Sequence, residues 1–84
     1  MYLPMSIKTV NEREVEFTFE CPFCNKKHSV FLDSHEAMKV MNEYYQGSEH
    51  IQDVLPNVAA ESREAFISGI CPQCLEQMFG KEID

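Results

Sequence analysis

Positive charge is scarce in this sequence: 7 lysines and arginines stand against 14 aspartates and glutamates, a formal net charge of −7 at pH 7. General affinity for nucleic acid phosphates or for anionic membrane rests on Lys and Arg, so the balance disfavours both. Long apolar runs are missing too. No stretch approaches the roughly 18 apolar residues that span a bilayer, and Met1-Tyr2-Leu3-Pro4-Met5 has neither the basic flank nor the apolar stretch of a signal peptide. The expected location is the cytoplasm. Repeats, linkers and low-complexity segments are also absent, so residues 1–84 are expected to form a single domain. At 84 residues one hydrophobic core is only marginally stabilising without help. Hydrophobic residues at 44% and charged residues at 25% nevertheless point to a folded protein rather than a disordered acidic tail.

What is present, and specific, is cysteine. The four cysteines form two pairs, Cys21-Pro22-Phe23-Cys24 and Cys71-Pro72-Gln73-Cys74. In a reducing compartment such pairs point to metal or redox sites before disulfides. Zinc favours four soft ligands in a tetrahedron, and one tight Cys-x-x-Cys turn presents two sulfurs to the same ion while its amides soften their charge. Cys21, Cys24, Cys71 and Cys74 are therefore the predicted ligands of one structural Zn2+. Such a centre carries about −2 and would bring the loaded protein to roughly −9. Two other readings of the cysteines stand beside this one. They could be small buried hydrophobes, or Cys21-Pro22-Phe23-Cys24 could act as a thiol redox pair, since it looks like the active-site motif of glutaredoxins.

The rest of the chain reads as α+β. Val15, Phe17 and Phe19 alternate with Glu14, Glu16, Thr18 and Glu20, the period of a half-buried strand. Met5–Val10 is a weaker β-rich stretch, and Asn11-Glu12-Arg13 could close a hairpin between the two. His28–Leu32 reads as a further strand, with Cys21–Asn25 as the turn of a second hairpin. Asp33 or Ser34 caps a helix carrying Ala37, Met38, Met41, Tyr44 and Tyr45, which Gly47 ends. Ser48–Asn57 shows no clean period. Ala59–Ser68 is a second helix stopped by Gly69, and Pro72–Phe79 a third with Leu75, Met78 and Phe79 apolar. The expected architecture is two short hairpins and three helices around a treble-clef-like site, with a knuckle on a hairpin and two ligands from the first turn of a helix.

Other candidates for chemistry have ordinary explanations. His28, four positions after Cys24, could replace a cysteine in the shell, but four thiolates already complete it. His35 and His50 are expected to be exposed. Glu12, Glu14, Glu16 and Glu20 read as the solvated face of a strand rather than a catalytic carboxylate pair. Lys26 and Lys27 do not make a basic patch.

Residues 51–79 carry the words Ile51-Gln52-Asp53, Pro56, Arg63-Glu64, Ile67-Ser68-Gly69-Ile70-Cys71-Pro72-Gln73-Cys74 and Met78-Phe79. In these the chain resembles a family of small, uncharacterised zinc-binding proteins encoded by bacteria and phages. Ala59 stands where that pattern has a capping serine, and Leu75 where an aromatic is frequent. The resemblance implies a zinc-bound α+β domain and a mobile-element context, and no catalytic mechanism.

A closed four-thiolate shell has no open position for water, so zinc-activated hydrolysis is not available to it. The expected function is that of a protein-binding module rather than an enzyme, engaging a partner of basic character through the connector Gln46–Asn57. Ile51, Gln52 and Asp53 are the candidate contact residues. The alternatives are a nucleic-acid-binding zinc ribbon, against which the net charge counts, and the thiol redox protein.

Overall fold

The computed structural model describes residues 2–79. Three strands, β1 (Ser6–Asn11), β2 (Glu14–Glu20) and β3 (Lys27–Asp33), form an antiparallel meander in the order β1-β2-β3. The two predicted hairpins share β2. The first turn is held by Asn11, whose side-chain oxygen accepts from the Arg13 amide at 2.8 Å. The ladder is irregular between Thr9 and Asn11, so Val10 forms a bulge at the end of β1.

Alternation in β2 does what its period dictates. Phe17 and Phe19 are fully buried, and opposite them Val30 and His28 line the same face. The other face carries Glu14, Glu16, Thr18 and Glu20. There the Ser29 hydroxyl donates to the Glu16 carboxylate at 2.7 Å, while Glu20 stands opposite Lys27. This is the solvated face expected of the glutamates.

The core face is covered by helices. In α1 (Ser34–Lys39) the Asp33 carboxylate accepts from the Glu36 amide at 2.7 Å, an N-cap of the expected kind. The predicted helix to Gly47 is not uniform: from Val40 to Tyr45 it is wound as a π-helix. The wider turn brings consecutive side chains closer in direction, and Tyr44 and Tyr45 both pack against the core. Their hydroxyls donate to the carbonyls of Phe66 and Tyr2, at 3.1 and 3.3 Å. Gly47 closes the segment through tight approach, since a Cβ there would lie 2.6 Å from the Glu43 carbonyl oxygen.

A fourth helix was not expected. Residues Ile51–Val54 form α2, a single turn, and Ile51, Val54 and Leu55 are all buried. The connector is thus not aperiodic: these three residues stand at i, i+3 and i+4, the spacing of one helical face. Next come α3 (Ala60–Ser68) and α4 (Pro72–Phe79). Ala59, at the start of α3, makes no side-chain cap, and its carbonyl accepts from the Ser62 and Arg63 amides. The side chain of Phe79, expected on the apolar side of the last helix, lies outside what is described.

Phe66 of α3 is the centre of the core. Its ring meets Phe17 and Phe19 edge-on, with centroids 5.3 and 5.2 Å apart. A fully buried phenylalanine stabilises by about 2–3 kcal/mol, while ordering each residue costs about 1–2 kcal/mol of backbone entropy. The segment beyond Ser68 lies outside this core and carries the second cysteine pair.

Candidate metal centre

The first cysteine pair is shaped by the turn between β2 and β3. Cys21 directly follows β2 and is buried, its amide donating to the Lys26 carbonyl while its carbonyl accepts from the Asn25 amide, both at 2.9 Å. Asn25 takes φ +62°, a left-handed conformation that asparagine tolerates, and this turns the chain leaving Cys24 toward β3. The turn leads directly into β3. A glutaredoxin-like motif needs a helix at that point, and none forms.

The second pair is placed by a helix start. Cys71 immediately precedes α4, and its sulfur accepts from the Cys74 amide at 3.4 Å, the interaction a capping side chain makes three residues on. Its carbonyl accepts from the Leu75 amide at 2.9 Å. Pro72 occupies the first helical position, where no amide is needed. The polypeptide reaches this point through Gly69, which ends α3 in a left-handed conformation at φ +77°, and through Ile70, which is buried.

These two turns bring Cys21, Cys24, Cys71 and Cys74 together with their sulfur atoms all within 4.8 Å of one another. The Cys24 and Cys71 sulfurs are 3.7 Å apart. A tetrahedron with zinc–sulfur bonds of about 2.3 Å has edges of about 3.8 Å, so the donor set fits the ion in number, type and spacing. Cys21 and Cys71 are buried, whereas Cys24 and Cys74 are half-buried.

Electrostatics favours a cation in the middle. Burial opposes ionisation of Cys21 but is outweighed by the backbone amides of Cys71, Cys24 and Phe23 and by the Cys24 side chain, which lower its thiol from 9.0 to about 6. Cys74 goes the other way. Hydrogen bonding with the Cys24 and Cys71 side chains, then burial, then the hydrogen bond and charge of Cys21, push its thiol up to about 12. One thiolate therefore forms readily and impedes the last, the behaviour of a cluster that needs a divalent ion to carry four thiolates at once. Zn2+ held by these four residues would supply structural cross-linking, with no coordination position left for a reactant.

His28 belongs to this region without belonging to the shell. Its Nε2 lies 2.8 Å from the Gly69 carbonyl oxygen. A carbonyl only accepts, so Nε2 carries the proton and donates. The ring also stacks on Phe19 at a centroid distance of 5.8 Å. His28 is thus a strap between β3 and the chain entering Cys71. Sequence reasoning missed this role because nothing local to residue 28 signals a contact 41 positions away. Replacing His28 by alanine should lower stability by about 1–2 kcal/mol while leaving one zinc per chain. Melting curves and elemental analysis on the same preparation check it, and a fall in zinc content would make His28 a ligand after all.

The remaining candidates are dispersed. Ile51 is buried in the core, while Gln52 and Asp53 are exposed on α2. His35 and His50 are exposed. Among the described residues no helix is long and apolar enough to cross a membrane. The cysteine cluster is the sole group of metal-ligating side chains found among the described residues.

Together these features define a small α+β protein whose four cysteines form a cluster with the geometry of a zinc site. No protein-family model matches the chain, no curated protein matches it, and no solved structure matches it.

Proposed function

We propose that this is a zinc-stapled protein-binding module with no catalysis of its own, acting in the cytoplasm on a partner of basic character. The observation that carries the reading is the way α2 is mounted. Ile51, Val54 and Leu55 anchor the turn in the core, so Gln52 and Asp53 project from a fixed platform rather than a loose loop. Beside them runs a groove of about 250 Å3 lined by Tyr44, His50, Ile51, Gln52 and Ile67. Exposed polar residues on a rigid support, next to a concave surface of mixed polar and apolar lining, suit recognition of a protein segment. A net charge of −7 supports a basic partner, whose association slows as salt rises. The resemblance of residues 51–79 to bacterial and phage-encoded proteins supports a mobile-element setting.

The test is affinity capture of a partner from the native host, followed by the double substitution Gln52→Ala, Asp53→Ala. Binding should fall at least about tenfold, with zinc content and melting temperature held. Undiminished capture, or tight binding to plain duplex DNA at physiological salt, would overturn the reading.

A further inference from the structure

A second surface, at the β1 edge of the sheet, is built differently. All six residues of β1 are exposed, and β1 pairs with β2 alone, so one edge of its backbone has no neighbour among the described residues. Four large apolar side chains stand in and beside this strand: Leu3 is 69% exposed, Met5 52%, Ile7 44% and Val10 45%. Ile7 lies opposite Phe17 and therefore on the core face of the sheet, where the helices cover Phe17 but leave Ile7 open.

The segment is held in place. Just before it, the Tyr2 amide donates to the Phe66 carbonyl at 2.9 Å and the Tyr2 hydroxyl to the Glu20 carbonyl at 2.7 Å. The usual guards of an edge strand are lysine, proline and a bulge. Here proline and the bulge stand toward the two ends of the run, and the one lysine is on the face of the sheet away from Ile7. Pro4 lies just before Met5, the bulge is at Val10, and Lys8 stands opposite Glu16.

We infer that the β1 edge is where two copies of this chain associate, pairing β1 with β1 across a two-fold axis into one six-stranded sheet. Charge selects the occupant. Residues 1–11 contain no aspartate or glutamate and one lysine, so all 14 acidic residues lie beyond them. This is the part of an otherwise acidic chain that two copies can bring together without acidic residues in the paired strands, each strand contributing a single positive charge at Lys8. A basic partner is drawn instead to the acidic faces elsewhere. A two-fold axis also repeats each apolar contact: with Ser6 on the axis, Ile7 of each copy stands opposite Met5 of the other, twice in the interface. Two such strands with their apolar side chains bury on the order of 1,000 Å2, the low end of specific interfaces, so the dimer forms with rising concentration rather than permanently.

Sedimentation equilibrium on the zinc-loaded chain reads this directly. The mass should climb from 9.7 kDa toward twice that value as concentration rises. Association should tighten with added salt, because screening relieves repulsion between two acidic chains. That is the opposite of the salt dependence expected for a basic partner, so the two proposals fail separately. Ile7→Glu introduces two charges into each interface and should weaken association by more than about a hundredfold, with zinc content and melting temperature of the monomer retained. Met5→Glu, outside the strand, gives the same result if Ile7→Glu folds poorly. Amide exchange in β1 should slow with concentration in the unaltered chain only. A monomer at every concentration, a dimer indifferent to both substitutions, or a dimer that weakens with salt would overturn the inference.

Discussion

Replacing Cys71 by serine is expected to remove zinc and cost the protein about 3–5 kcal/mol of folding free energy. Its sulfur is one of the four donors and lies 3.7 Å from that of Cys24. The same sulfur caps α4, but a serine hydroxyl can keep that interaction, so the loss falls on metal binding. The site is also the local core. Cys21, Ile70 and Cys71 form a cluster of their own, with Cys24, Cys74 and Leu75 packed on it, separate from the core around Phe66. Little apolar area remains there once the ion is gone. Domains of this size are stable by about 5–15 kcal/mol, so the variant should be marginal. Melting temperature and amide exchange check this, with protection lost first in residues 70–79. A variant that melts with the unaltered chain would remove the structural role from the site.

The second large effect is expected at Gly69, which touches no metal. At φ +77° a side chain is strained by about 1–2 kcal/mol, and a Cβ there would sit 2.3 Å from the Tyr2 ring. The ring cannot easily step aside, because its hydroxyl is bonded to the Glu20 carbonyl and its backbone to Phe66. Displacing it adds about 1–3 kcal/mol of overpacking. Gly69→Ala should therefore destabilise by about 2–5 kcal/mol, lowering the melting temperature by on the order of 10 °C or more. The consequence reaches the cysteines, since Gly69 also gives its carbonyl to His28 and leads into Cys71. In a cycle with Tyr2→Ala the two losses should be less than additive, because the smaller side chain removes the clash. A cost below about 0.5 kcal/mol would mean that the turn tolerates a side chain and the contact with Tyr2 is dispensable.

How far the sequence foretells this molecule depends on whether each signal is local. Alternation from Glu14 to Glu20 names the buried Phe17 and Phe19 because a strand's period is set by its own backbone. The two Cys-Pro-x-Cys turns likewise carry their chemistry within four residues, and Asn25 supplies the left-handed position that turns the chain leaving the first toward β3. The α2 turn was missed: Ile51, Val54 and Leu55 have the i, i+3, i+4 spacing, but one turn is too short for a periodic signal to stand out from its surroundings. Other features are properties of the fold. The strap from His28 to Gly69, the seat of Tyr2 against Gly69 and the π-winding that turns Tyr44 and Tyr45 onto the core all join residues far apart in the chain. Gly69 is the instructive case. Its role as a helix stop follows from its neighbours, whereas its intolerance of a Cβ depends on a tyrosine 67 positions earlier (69 − 2).

The central claim, that four cysteines hold one zinc ion and thereby fix the segment beyond α3, is tested most directly by counting metal on the folded chain. Native mass spectrometry of the protein produced with ample zinc, set beside Cys71→Ser, gives that count. The account predicts one zinc per chain in the unaltered protein, released on acidification as the thiolates regain their protons, and a sharply reduced fraction in the variant. A folded, metal-free chain carrying four free thiols would contradict it.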